Sequence, residues 1–253
     1  MRSTIVAFGE TLWDLLPSGA SLGGAPCNFA YRVNALGDRG LMVTRIGRDE
    51  FGRKAIAQLG QIGMETGFVQ LDEERPTGTV HVALDARGNP DFSIVPNVAY
   101  DFIELTSELL ALVAAADCLC FGTLAQRSPA SRRTLRQLLE TGSGALKLLD
   151  INLRKDSYSE ETIRESLERA DLLKLNEDEA RHLGKLFPMP ADSLPSFCDA
   201  MIDRWRLQCC LVTLGERGAF AASAAGSKVY SPGFQIQAVD TCGSGDAFTA
   251  GFT

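Results

Sequence analysis

Apolar positions follow two rhythms along the chain. Continuous apolar runs of strand length recur at residues 5–8, 41–46, 118–121, 145–150, 172–175 and 209–214. Between them apolar residues step by three and four, as in Phe29, Val33 and Leu36, then Leu135, Leu138 and Leu139, then Ile163 and Leu167. A strand buried on both faces reads as an unbroken apolar run, whereas a helix lying on a sheet shows one apolar stripe. The alternation therefore predicts a doubly wound α/β body, a mostly parallel sheet with helices on both faces.

Two regions break this rhythm. Residues 11–16, 79–84 and 91–95 read as strands with no helix between them, and Asp85-Ala86-Arg87-Gly88-Asn89-Pro90 carries hairpin chemistry: Gly and Asn accept positive φ, and Pro ends the turn. They predict a small antiparallel β lid, built from segments at about 11–22 and 76–100, beside a cleft. An edge hairpin is the plainer alternative. Pro188-Met189-Pro190 reads as a loop between helices, because proline blocks helix continuation.

The 253 residues suffice for a single α/β domain over 1–253 with a sizeable core. No apolar run approaches the roughly 18 residues a membrane span needs, so no membrane partner is expected. Seven cysteines without a C-x-x-C pair, and only two histidines, argue against structural zinc and for reduced thiols in a cytoplasmic protein. A formal charge of -7 argues against a nucleic-acid partner. Small molecules fit better.

The segment richest in chemistry is Asp240-Thr241-Cys242-Gly243-Ser244-Gly245-Asp246. Glycines at 243 and 245 let successive N–H groups converge, and the following residues resemble a first helical turn, an arrangement that binds anions. Asp246 beside such a cradle can accept a proton from an attacking hydroxyl; a helix N-cap is its ordinary alternative. A second segment, Gly23-Gly24-Ala25-Pro26-Cys27-Asn28, leads from a glycine pair into a helix and projects the amide of Asn28, a donor and acceptor.

In this order and at this separation, the two segments resemble the ribokinase-like PfkB carbohydrate kinases. Asn176-Glu177-Asp178-Glu179 resembles the family's Asn-x-x-Glu, and Thr213-Leu214-Gly215-Glu216-Arg217-Gly218 its nucleotide-side Thr-x-Gly-x-x-Gly. The resemblance implies transfer of the γ-phosphoryl group of ATP to a sugar. Asp246 would be the base, and the backbone of Gly243, Ser244, Gly245 and Asp246 the anion hole. Asn176 and Glu179 would hold Mg²⁺ and phosphates through water, although the same residues read locally as a capping box. Thr213, Gly215 and Gly218 would touch the nucleotide, with a plain turn as the alternative. Asp240 and the Cys242 carbonyl would hold a monovalent cation such as K⁺.

For the sugar, the resemblance implies Asp14, Gly23, Gly24 and Asn28 as contacts, and an acid such as Asp14 suits the hydroxyls of a polyol. Residues 122–127 and Asp150-Ile151-Asn152-Leu153-Arg154 resemble the fructokinase branch, which makes fructose the first choice. Arg154 leaves an acid sugar, 2-keto-3-deoxygluconate, as runner-up, since a guanidinium pairs with a carboxylate; an ion pair with Asp150 or Asp156 is its structural alternative. Relatives of this family often dimerise through the lid, and Val80, Val82 and Ile94 are candidates for an apolar patch there. The chain stops at Thr253, inside the helix after Asp246, which implies a shortened nucleotide side. A sugar-binding remnant without turnover is the rival from another class.

Overall fold

The computed structural model describes residues 2–16, 19–84, 90–141, 144–189, 192–237 and 241–253, with backbone only at 82–84 and 90–92. Strand β1 (Thr4–Phe8) leads through β2 (Leu12–Leu16) and β3 (Gly19–Gly23) to α1 (Ala25–Leu36), β4 (Arg39–Gly47), α2 (Glu50–Gln61), β5 (Val69–Asp72), β6 (Gly78–Leu84) and β7 (Pro90–Ile94). Then come α3 (Ser107–Ala114), β8 (Cys118–Phe121), α4 (Pro129–Thr141), β9 (Leu146–Asp150), α5 (Glu160–Leu167) and β10 (Leu172–Asn176). The rest is α6 (Glu177–Leu186), α7 (Leu194–Trp205), β11 (Cys209–Thr213), β12 (Ala219–Ser223), β13 (Lys228–Ser231) and α8 (Ser244–Phe252).

Among the described residues, nine strands form one sheet in the order β13-β12-β11-β10-β9-β8-β1-β4-β5, parallel from β11 to β5 and antiparallel at β12 and β13. The side-chain period of two explains the continuous apolar runs. Val6 and Phe8, Leu119 and Phe121, and Leu173 and Leu175 enter one core; Ile5 and Ala7, Cys118 and Cys120, and Leu172 enter the other, beneath α1 and α8. A polar residue in such a run is therefore buried by necessity, and Lys174 follows Leu172 onto the α1 and α8 face.

The second sheet runs β3-β2-β6-β7. Its β2–β3 and β6–β7 pairings are antiparallel, and β2 joins β6 in parallel, so the two hairpins make one mixed lid sheet. The 85–89 hairpin turn lies outside the described residues. The sequence leaves open whether Val80, Val82 and Ile94 pack on the chain itself or on a second copy; Val80 is buried in the chain's own core and Ile94 packs on it, and the Val82 side chain lies outside the described residues. Strand β13 escapes the apolar-run reading because it is exposed throughout and offers no buried stripe.

The lid is rooted by Arg127. Its guanidinium donates to both oxygens of Asp101 (2.8 and 3.0 Å), to the Val95 carbonyl beyond β7 (2.7 Å) and to the Tyr100 hydroxyl (2.9 Å). Tyr100 is fully buried, and a Cβ on Gly78 would lie 2.5 Å from its ring, so β6 starts pressed on that ring. Residues 122–127, singled out in the sequence, thus include a mechanical part. Replacing Arg127 by Met leaves Asp101 buried and uncompensated, and we expect a loss of about 3–5 kcal/mol in unfolding free energy by urea titration. A loss below about 1 kcal/mol would show that the Arg127 contacts do not hold the lid root.

Candidate active site

The site is assembled where α1 and α8 begin, above the C-terminal ends of β9, β10 and β11. Helix α8 starts at Gly243, whose φ of 73° suits glycine, and no side chain caps it. The Ser244 N–H is bonded to Thr241 O (3.1 Å) and the Ala247 N–H to Gly243 O (2.9 Å). Gly245 and Asp246 lie in the first turn, where N–H groups have no intrahelical acceptor, so theirs are the donors offered to an anion. Asp246 is thus inside the helix rather than its cap.

Helix α1 supplies the partner. Its N-cap Gly24 has φ 110°, and a Cβ there would strike the Glu10 carbonyl oxygen, so glycine is required. Pro26 sits in the first turn, where its missing N–H costs nothing. One turn along, Asn28 Nδ2 donates to Asp246 Oδ2 at 2.9 Å, across 218 residues of sequence. Gly23 lies against Asp14: a Cβ on Gly23 would be 2.8 Å from Asp14 Oδ2. A side chain there would fill the space beside the carboxylate.

Burial raises the Asp246 carboxyl above the usual carboxylate range; the Asn28 bond and the charges of Lys174 and Arg154 pull against that, while Asp150 adds to it. Burial likewise raises Asp14, opposed by Arg154. Arg154 is exposed and forms no ion pair among the described residues; the pairing with Asp150 considered from sequence is not made, because Asp150 is taken by Lys174. The Arg154 charge is felt by Glu10, Asp14 and Asp246 together.

The capping box read at Asn176 to Glu179 is present. Asn176 Oδ1 accepts the Glu179 N–H (2.9 Å), and Glu179 Oε2 accepts the Asn176 N–H (2.8 Å). Glu179 Oε1 accepts the Leu153 N–H (2.8 Å), which joins α6 to the segment carrying Arg154. Each oxygen of this buried carboxyl already has a backbone donor, so the pair fits a Mg²⁺ that keeps its waters, and direct chelation less well. Among the described residues no group of three or more His, Cys, Asp or Glu gathers to hold a metal directly.

Thr213 stands opposite Asn176 in the parallel register, so both lie at the sheet edge where open α/β folds bind ligands. Its Oγ1 reaches the Leu175 carbonyl at 3.5 Å. Gly215 (φ 62°) begins a short 3-10 turn ending at Gly218 (φ 100°), where a Cβ would strike Ser231 O, so the turn is pinned to the strand beyond it. None of these three touches Asp246. Asp240 lies outside the described residues.

Sequence reading missed Glu10, Lys174 and Thr249. Glu10 is 4% exposed, its Oε1 accepts the Ala25 N–H (3.2 Å), and burial pushes its carboxyl up to about 7 despite that bond and Arg154. Because the folded value exceeds the ordinary 4.5, the stability Glu10 contributes is whole below pH 4.5 and lost as pH rises through 7. Wild type should therefore lose about 3 kcal/mol relative to Glu10→Gln between pH 4.5 and 8 in denaturant titrations. A difference that does not vary with pH would show that Glu10 ionises like an exposed carboxyl.

The family pattern described as pfkB family carbohydrate kinase matches residues 19–253. Fructokinase-1 of Zea mays is 32% identical over 271 residues, covering 98% of this chain and 81% of that protein. The fold is shared with the fructokinase of Xylella fastidiosa solved with bound ATP (TM-score 0.86, 23% identity, 99% of this chain and 80% of that one). It is also shared with a double mutant of the Vibrio cholerae O395 fructokinase holding fructose, ADP and a potassium ion (TM-score 0.83, 25% identity, 99% and 82%). With its fold, its Gly-Ser-Gly-Asp helix start and its sequence all in agreement, the chain belongs to the pfkB family of carbohydrate kinases.

Proposed function

We propose that this chain transfers the γ-phosphoryl group of ATP to a hydroxyl of fructose. The observation that carries the reading is the Asn28–Asp246 hydrogen bond. It brings the two family segments together at the mouth of an anion-binding helix start, with Asp246 Oδ2 held and its other oxygen able to accept the hydroxyl proton. The Gly245 and Asp246 N–H groups, with Gly243 and Ser244 shaping the turn, face the charge on the moving phosphoryl group.

Asp14 and Asn28 hold sugar hydroxyls, Gly23 and Gly24 keep the backbone close to the ring, and Arg154 closes the far side. Thr213, Gly215 and Gly218 take the nucleotide. Asn176 and Glu179 hold Mg²⁺ through water, and that ion neutralises phosphate charge that Asp246, Glu10 and Glu179 would otherwise repel. Asp240 takes a monovalent cation such as K⁺. The lid sheet closes over the sugar and excludes water, and its edge strands β3 and β7 offer unpaired backbone to a second copy. The buried thiols of Cys27, Cys118, Cys120, Cys198 and Cys210 suit a reducing, cytoplasmic setting.

One observation favours a second sugar. Arg154, exposed and without an ion-pair partner among the described residues, is placed to pair with a substrate carboxylate, as in 2-keto-3-deoxygluconate. ADP release with Mg-ATP and a panel of fructose, ribose, glucose, 2-keto-3-deoxygluconate and adenosine separates the readings. Fructose-dependent release supports the first and release with the acid sugar the second; silence across the panel leaves a sugar-binding remnant. Asp246→Asn should lower kcat about a thousandfold with KM for the sugar within about threefold. Wild-type turnover by that variant would remove Asp246 from the chemistry.

A further inference from the structure

Beneath the α8 start lies a buried cation that the reaction as described leaves unused. Lys174, mid-strand in β10 and 7% exposed, stands directly opposite Asp150 at the end of β9, itself 8% exposed. Its ammonium donates to both Asp150 oxygens at 3.1 and 3.2 Å. Thr249 Oγ1, on α8, lies 2.7 Å from Asp150 Oδ2 and 2.8 Å from the Gly245 carbonyl, and its one proton is shared between these two acceptors. A Cβ built on Gly245 would lie 3.2 Å from Lys174 Nζ, so the ammonium sits against the turn itself.

The arrangement has two consequences. Helix α8 is tied to the sheet through Thr249 and Asp150, within a few ångströms of the N–H groups that face the phosphoryl charge. A positive charge is also held where acidic groups crowd. The charged and titratable groups acting on Asp246 are Lys174 from β10, Asp150 from β9, Arg154 from the following segment, and Glu10 from the end of β1. The Cys27 thiol of α1 and the Cys120 thiol of β8 also feel its charge, and burial keeps both protonated. Lys174 acts on Glu179 as well. An unpaired ammonium would be costly here, and Asp150 makes its burial tolerable.

We propose that Lys174 is a positioning residue for phosphoryl transfer: gripped by Asp150 under the Gly245 turn, it fixes the start of α8 and sets its positive charge beside Asp246. The proposal rests on the reading of Asp246 as base. It also gives Gly245 a second reason to be glycine, since a side chain would press on the ammonium.

Lys174→Met alone strands Asp150 and risks unfolding, so the decisive variant is Lys174→Met/Asp150→Asn, which removes both charges while the new amide oxygen still accepts from Thr249. Lys174→Arg is the conservative companion. With circular dichroism showing folded protein, we expect KM for the sugar within about threefold and kcat lowered about a hundredfold at neutral pH. Relative to Asp150→Asn, which keeps the ammonium, the acid limb of kcat/KM in the double variant should move up, with Lys174→Arg recovering part of the loss. Loss of rate with the acid limb unmoved, or no loss, overturns the proposal. If wild type turns over no sugar in the panel, the kinase reading fails separately, and ¹³C NMR of the Asp246 carboxyl, assigned with Asp246→Asn, then decides. Its titration should still lie higher in the double variant than in Asp150→Asn, which keeps the ammonium, and an unshifted curve overturns the role of Lys174.

Discussion

The parallel register of β9 and β10 is the constraint on which the rest of the site depends. Leu172 pairs with Leu148 and Leu173 with Leu149, so Lys174 must meet Asp150 two residues on. A one-residue slip of β10 would turn Lys174 away from Asp150 toward the opposite core, where α4 and α5 contribute Leu135, Leu138 and Leu167. The ion pair is therefore held by the packing of its apolar neighbours, and in turn it holds Thr249, α8 and Asp246. Mechanical order runs from the leucines outward to the carboxylate.

The electrostatics follow from the same burial. Glu10, Asp14, Glu179 and Asp246 all ionise less readily than in water because the sheet and its helices screen them from solvent. Each is partly compensated by donors of a different kind: a side-chain amide for Asp246, backbone N–H groups for Glu10 and Glu179, and the Arg154 charge for Asp14. The site thereby holds several acids in a small space without requiring all of them to be charged. A phosphoryl donor, which arrives with its own negative charge, meets less repulsion than the sequence formula suggests.

Much of this was legible in the sequence because it depends on local pattern. The core strands announced themselves as apolar runs, the α8 start as Gly-Ser-Gly-Asp, and the α6 start as a capping box. What stayed hidden depends on pairing across the sheet. Lys174 inside Leu-Leu-Lys-Leu was the one available signal, a charge in a run that must be buried, and its partner cannot be found without the register. Glu10 looked like part of the polar segment that ends β1, because nothing local reveals that the Gly24 turn covers it. The packing partner of Val80 stayed open because alternation gives two faces without saying what covers either, and β13 had too little burial to leave a pattern.

The Asn28–Asp246 contact also sets an order of assembly during synthesis. The two residues are 218 positions apart, so at about 5–20 residues per second roughly ten to forty seconds separate their emergence from the ribosome. Throughout that interval α1 can fold against β1 and β4, yet its Asn28 amide has no Asp246 carboxylate to meet. The nascent chain can therefore acquire much of its sheet and one side of its cleft long before Asn28 and Asp246 can meet.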